Sequence, residues 1–65
     1  MTVKQLLDMS EGIEVKIEIV TTDEFMDEYT FENGSEIDKI ENQFGDIDVW
    51  SFKVKPNKFI IYLDN

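Results

Sequence analysis

The chain has 65 residues, enough for a single small domain over residues 1–65, and its six Lys against fifteen Asp or Glu give a net charge of −9. With no Arg and few Lys, the sequence lacks the basic clusters that neutralise phosphates, which argues against direct nucleic-acid binding. With no Cys and no His, it also lacks disulfides, the usual zinc ligands and the base that activates a catalytic Ser. We therefore predict no catalytic residues, no bound metal and no cofactor.

Small size has a consequence for stability. A chain of about 65 residues buries only about 60% of its unfolded surface, so a further stabilising device is expected, and oligomerisation is the one this sequence allows. The N-terminal apolar pair Leu6 and Leu7 is too short for a signal-peptide core or a membrane span. We expect a homo-oligomeric cytoplasmic protein without a membrane segment.

The first element is a short helix. Thr2 and Gln5 have the three-residue spacing of a capping box, in which each side chain accepts a hydrogen bond from the backbone of the other residue. Val3, Leu6 and Leu7 follow at the spacing of one helical stripe. Gly12 is predicted to end this helix in the left-handed conformation.

A first hairpin follows. Ile13, Val15, Ile17 and Ile19 alternate with charged residues, and Phe25, Tyr29 and Phe31 share one face of a second strand. For the two apolar sets to meet, the connecting loop must hold an odd number of residues. A three-residue loop would pair Val15 with Phe31 and Ile17 with Tyr29, and it would leave Asp27 opposite Ile19.

The middle of the chain contains a turn signal at residues 33–34 and then Ile37, Ile40 and Phe44 at helical spacing. Ser35 and Asp38 resemble a weak cap, and Gly45 is positioned to stop a helix. The pattern predicts a short helix between two hairpins, with an irregular acidic loop as the alternative.

The last third of the chain predicts a second hairpin. Trp50, Phe52 and Val54 alternate along one run, and a second run carries Phe59, Ile61 and Leu63. A two-residue turn at Pro56 and Asn57 would pair Val54 with Phe59, Phe52 with Ile61 and Trp50 with Leu63, all on one face. A three-residue loop would instead pair Val54 with Ile60 and Phe52 with Tyr62.

Either register leaves apolar side chains on the other face of this hairpin. They are the predicted oligomer interface, formed by Val49, Ile60 and Tyr62. Together these elements predict an α+β domain with a short N-terminal helix and a mainly antiparallel four-stranded sheet of two hairpins.

The acidic residues are concentrated in the middle of the chain. Residues 23–48 contain ten Asp or Glu residues and one Lys, Lys39, which together account for the net charge of −9. The two ends of the chain together are therefore neutral. Closely spaced carboxylates can imitate the phosphates of DNA, which carries about one charge per 1.7 Å, and so attract a basic cleft. The predicted partner-binding acidic surface comprises Asp23, Glu24, Asp27, Glu28, Glu32, Glu36, Asp38 and Glu41.

Two other interpretations of these acids stay open. A solvated acidic face keeps a small two-sided protein soluble, and then the chain is a structural homo-oligomeric module. Alternatively Asp46 and Asp48, or the acids at residues 23–28, could bind magnesium in a metal-dependent nuclease, although neither group matches a calcium loop.

Several short segments resemble small acidic proteins encoded by phages and mobile elements of Gram-positive bacteria. They are TVKQLL at residues 2–7, EVKI at 14–17, the turn FENG at 31–34, and the ending at 49–62 with NK before IIY. Some of these proteins inhibit host defence nucleases, anti-CRISPR proteins among them. The resemblance implies an inhibitor of a basic host protein, such as a nucleic-acid-binding enzyme, and it implies no catalytic residues.

Overall fold

The structure, a computed structural model, describes residues 1–9, 15–22, 27–32 and 36–64. The described residues form two helices and four strands in an α+β arrangement, as predicted. The helices are α1 (Val3–Met9) and α2 (Ile37–Phe44), and the strands are β1 (Lys16–Val20), β2 (Glu28–Phe31), β3 (Val49–Lys55) and β4 (Lys58–Leu63). The helix predicted between the two hairpins is α2, so the alternative of an irregular loop is wrong.

The four strands form one mixed sheet in the order β2-β1-β4-β3. Both hairpins are antiparallel, so the sheet is mainly antiparallel as predicted. It is nevertheless a mixed sheet, because β1 and β4 pair in parallel at the centre, which the prediction of two antiparallel hairpins did not include. The parallel pair arises because α2 connects β2 at one edge of the sheet to β3 at the other. The hairpins therefore meet through β1 and β4, which run in the same direction.

The position of β4 follows from its composition. It contains the uninterrupted run Phe59, Ile60 and Ile61, and all three side chains are buried. Such a run is typical of a strand buried on both faces, whereas strands with regularly spaced charges tolerate an edge. β3, in which Lys53 and Lys55 alternate with apolar residues, forms one edge, and the short strand β2 forms the other.

Both helices cover the same face of the sheet, which we call the helix face. Its core joins the two helices to every strand but β3, and it consists of Val3, Leu6, Ile17, Ile19, Phe31, Ile40, Phe59, Ile61 and Leu63. The opposite face, which we call the second face, carries Glu18 and Val20 of β1 and Ile60 and Tyr62 of β4.

The N-terminus of α1 has the predicted capping box. The Thr2 N–H donates to Gln5 Oε1 at 2.9 Å, and the Gln5 N–H donates to Thr2 Oγ1 at 3.2 Å. The Val3 and Lys4 N–H groups donate to the carbonyls of Ile47 and Gly45, which ties the start of α1 to the end of α2. The predicted stop at Gly12 lies outside the described residues.

Helix α2 ends at Gly45 as predicted, with the backbone in the right-handed region at φ −55°. A Cβ atom at Gly45 would overlap the backbone carbonyl of Glu41. At the other end, the N-cap is Glu36, without a capping side-chain hydrogen bond. Ser35, half of the predicted cap, lies outside the described residues.

The predicted register of the first hairpin is wrong by two residues. Ile17 pairs with Phe31 and Ile19 with Tyr29, because the connection spans residues 21–27 instead of three residues. The Asp27 N–H donates to Thr21 Oγ1 at 2.7 Å and the Thr21 N–H donates to the Asp27 carbonyl, so Asp27 lies opposite Thr21 and not Ile19. The loop is still odd in length, so Ile17, Ile19, Tyr29 and Phe31 keep their predicted face. Ile13 and Phe25, which are predicted to share it, lie outside the described residues.

The second hairpin has the two-residue turn at Pro56 and Asn57. Val54 pairs with Phe59 and Phe52 with Ile61, as that turn predicts, and the three-residue alternative is wrong. The predicted Trp50–Leu63 pair is also wrong. Val49 lies opposite Leu63, and the register shifts between Val49 and Ser51 in a β-bulge, so Trp50 is the additional residue.

Candidate binding surfaces at the two edges of the sheet

Charge is separated across the sheet. Asp27, Glu28 and Glu32 lie in and beside β2, and Lys53 and Lys55 lie on β3 at the opposite edge. Helix α2 packs over β2, because the Phe44 ring contacts the rings of Tyr29 and Phe31 at centroid distances of 5.4 and 6.2 Å. The described acids in and beside β2 therefore lie at the edge opposite to Lys53 and Lys55.

Six of the eight predicted acidic-surface residues fall within the described residues. Asp27, Glu28, Glu32 and Asp38 are exposed, and Glu36 and Glu41 are half-buried. All six Lys are described, and none of them forms an ion pair with Asp27, Glu28, Asp38 or Glu41. These four carboxylates are available to a basic partner. Asp23 and Glu24 lie outside the described residues.

Two members of the predicted surface are engaged within the chain. Glu32 pairs with Lys16 at 3.6 Å between exposed side chains. Glu36 accepts a hydrogen bond from the Glu32 backbone N–H at 2.8 Å and pairs with Lys39 at 3.3 Å. The Glu32 N–H first, and Lys39 second, lower the pKa of Glu36 below its usual value. Glu36 therefore joins β2 to α2 and has a structural role.

No feature of the sequence indicated the ion pair that lies on the second face between the two central strands. Lys58 of β4 contacts Glu18 of β1 with 3.0 Å between Nζ and Oε2, and the Glu18 side chain is only 13% exposed. Lys58 and Glu18 are 40 positions apart in the sequence, and the parallel pairing of β1 with β4 brings them together. No local pattern specifies such a neighbour.

The β3 edge, by which we mean the outer side of residues 50–55, exposes large apolar side chains. Trp50, Phe52 and Val54 are 67, 52 and 64% exposed. Trp50 contacts Tyr62 edge-on at 6.3 Å on the second face, and Phe52 contacts Phe59 edge-on at 5.7 Å on the helix face. Trp50 and Phe52 are two positions apart and would share a face in a regular strand. They lie on opposite faces because the bulge interrupts the alternation.

Only the beginning of β3 has a neighbour on its outer side in the described part of the chain. Thr2 forms an antiparallel bridge with Asp48, and the Val49 N–H donates to the Met1 carbonyl at 2.7 Å. Past Val49 the outer side is open. An open hollow of about 300 Å³ lies where this pairing stops, lined by Met1, Val49, Trp50, Ser51 and Phe52.

The predicted oligomer interface is not one continuous surface. Val49 packs against the core on the helix face, because the bulge places it opposite Leu63. Ile60 and Tyr62 share the second face, where Ile60 is only 5% exposed. Three large apolar side chains that are exposed, those of Trp50, Phe52 and Val54, instead lie on β3. The alternation of Lys53 and Lys55 with apolar residues is the signal of an edge strand that could have identified them.

Within the described residues, no group of three or more acidic side chains is arranged to hold a metal ion. The candidate metal ligands Asp46 and Asp48 are both exposed. In the same part of the chain, neither helix has the length and apolar character needed to cross a lipid bilayer. Comparisons with protein-family models, with curated proteins and with solved structures find no match.

Proposed function

We propose that this chain is a non-enzymatic binding protein whose acidic surface occupies a basic, nucleic-acid-binding cleft of a host protein. The observation that supports it is a set of four carboxylates without an ion pair to any Lys, which lie in and beside β2 and on α2: Asp27, Glu28, Asp38 and Glu41. The resemblance to small phage proteins suggests a defence nuclease as the host protein and the host cytoplasm as the compartment.

The charge of the acidic surface suits this function. Duplex DNA carries about one charge per 1.7 Å of axis, so several nearby carboxylates without a Lys partner can attract a cleft built for phosphates. Unpaired carboxylates raise the rate of encounter with a basic cleft, whereas apolar contacts slow dissociation. The acidic surface should therefore control the association rate and its dependence on salt.

The test begins with immobilised protein and a lysate of a Gram-positive host. A retained protein that duplex DNA displaces is the partner class that the proposal requires. Its association rate is then measured with Asp27→Asn/Glu28→Gln and with Asp38→Asn/Glu41→Gln, because amides keep the shape of the side chain and remove only its charge. Each pair should slow association at low salt.

The matched control is Asp8→Asn/Asp64→Asn, which removes two exposed acids outside the acidic surface. It should leave the association rate close to that of the parent. The proposal would be contradicted if the two acidic-surface variants associated as fast as the control variant, with folding of all three verified by circular dichroism. Capture that duplex DNA does not displace would also contradict it.

A second candidate is a structural homo-oligomeric module whose acids serve solubility. Exposure of Trp50, Phe52 and Val54 on one open edge supports it, since large exposed apolar patches mark interaction sites. This candidate predicts at least a dimer at micromolar concentration. Sedimentation equilibrium decides it, because a mass of 7.7 kDa at every concentration would exclude a stable oligomer.

A further inference from the structure

We propose that the β3 edge binds the outer side of β2 in a second copy of this chain, so that copies join head to tail into one continuous sheet. The proposal does not depend on a host partner. It names a surface different from the residues Val49, Ile60 and Tyr62 expected from the sequence.

The two edge strands have compatible directions. β2 is antiparallel to β1, β3 is antiparallel to β4, and β1 and β4 are parallel, so β2 and β3 run the same way. A second copy shifted sideways without being turned over therefore places its β2 beside β3 as a parallel strand. Every second residue of an edge strand turns its backbone N–H and C=O outward, and this pairing would satisfy those groups.

The same shift aligns the faces of the two copies. On the second face, β3 presents Lys53 and Lys55, and β2 presents Glu28. Glu32 follows just beyond the end of β2, where its exposed carboxylate also pairs with Lys16 of the same copy. Unlike charges on neighbouring strands stabilise a sheet.

On the helix face, the exposed Phe52 and Val54 of one copy would meet Tyr29 of the next, which is itself 40% exposed. The ring of Phe44 lies beside Tyr29, so α2 of the second copy would bring further cover to this joint. The helices of a single copy leave Phe52 and Val54 exposed. A neighbouring copy supplies the apolar surface that they lack.

The charges disfavour the two symmetric alternatives. Pairing β3 with β3 of a second copy would bring Lys53 and Lys55 of both copies together, and pairing β2 with β2 would bring together Glu28 and Glu32. Like charges on facing strands are destabilising. Only the β3-to-β2 contact opposes Lys to Glu. Such a contact joins two different surfaces, so growth continues past the dimer unless a ring closes.

The experiment measures sedimentation of the full chain from micromolar to millimolar concentration at physiological salt. Wild-type protein should increase in mass beyond the dimer as concentration rises. Lys53→Glu/Lys55→Glu and Glu28→Lys/Glu32→Lys should each be monomeric, because each makes the two edges alike in charge. An equimolar mixture of the two variants should assemble again, since acidic β3 then meets basic β2.

The two variants change the net charge in opposite directions, so general charge repulsion cannot account for the same loss in both. Lys4→Glu, an exposed reversal on α1, should leave the assembly unchanged. A wild-type monomer at every concentration would overturn the proposal. So would a closed dimer that Glu28→Lys/Glu32→Lys leaves intact, or a mixture that stays monomeric.

A second measurement uses the wild-type chain alone and keeps the proposal testable if a variant fails to fold. On dilution, backbone amide signals of β2 and β3 should shift together, while those of the central strands β1 and β4 stay constant. Shifts confined to β3 would indicate a symmetric contact and overturn the head-to-tail arrangement. The absence of any shift would overturn self-association itself.

Discussion

Strands β3 and β4 are the two arms of one hairpin, with aromatic and aliphatic residues alternating in both, yet they differ in burial. Phe59 of β4 is 1% exposed and Phe52 of β3 is 52% exposed, although their rings contact each other. β4 has a strand on each side and helices above it, whereas β3 is an edge. The strands and helices that surround an apolar side chain therefore decide whether it stabilises the fold or stays exposed and available for binding.

The largest expected effect separates the two arms directly. Phe59→Ala should lower the free energy of unfolding by about 3–5 kcal/mol, because it leaves a cavity among fully buried side chains. Phe52→Ala is the matched control, with the same side chain removed from the edge, and it should cost about 1 kcal/mol or less. Urea unfolding monitored by circular dichroism measures both.

A second property distinguishes the two variants. Phe52→Ala should weaken self-association of the folded protein, because its ring lies at the proposed joint between copies. If the two substitutions cost the same free energy of unfolding at low protein concentration, β3 is as well covered in solution as β4. The contrast between the arms would then be wrong.

The next effect concerns charge at the β2 side of the sheet. Asp27, Glu28, Asp38 and Glu41 lack an ion pair, so their mutual repulsion opposes folding and salt should screen it. Raising sodium chloride from low ionic strength to about 0.5 M, where the Debye length falls to a few ångströms, should raise the melting temperature. A gain of about 1 kcal/mol corresponds to roughly 4–8 °C in a domain of this size.

The matched comparison is Glu28→Gln/Asp38→Asn, which removes two of these charges. Its melting temperature should depend less on salt than that of the parent. A flat or falling melting temperature for the parent would mean that cations or lysines already neutralise the acidic surface in solution.

The sequence predicted local features well, and the reason is physical. The capping box of Thr2 and Gln5, the shared face of Ile17 and Ile19, and the two-residue turn after Lys55 all depend on residues close together in the chain. Alternation defines which face a side chain occupies, and a two-residue turn sets the register next to it. These interactions require no knowledge of distant neighbours.

Long-range features could not be predicted in the same way. The parallel β1–β4 pair depends on α2 crossing the sheet, and alternation within a strand does not specify the strand beside it. The bulge at Trp50 moved Val49 to the helix face, so the predicted oligomer interface was divided between two faces. For the acidic surface, composition showed where the acids concentrate along the chain but did not show that Glu36 is engaged within it.

A smaller effect compares an ion pair at the centre of the sheet with one at its edge. Lys58–Glu18 is short and its Glu side chain is largely covered, whereas both side chains of Lys16–Glu32 are about 60% exposed. A double-mutant cycle with Lys58→Met and Glu18→Gln should give a coupling of about 1 kcal/mol. The cycle with Lys16→Met and Glu32→Gln should give about 0.3 kcal/mol. Equal couplings would contradict a special role for the central position.

The smallest effect concerns Glu36, where α2 joins the end of β2. The Glu32 N–H and Lys39 stabilise its charged form in the folded chain, so its folded pKa is below the ordinary value near 4.5. The resulting stability is present above pH 4.5 and is lost as pH falls through the lower folded pKa. Glu36→Gln should therefore reduce the melting temperature slightly at pH 7, and the difference from wild type should disappear in acid. Lys39→Gln removes only the weaker contact, so it should lower the melting temperature at pH 7 by less than Glu36→Gln does. If the difference in melting temperature between Glu36→Gln and wild type were the same at every pH, Glu36 ionisation would not be linked to stability.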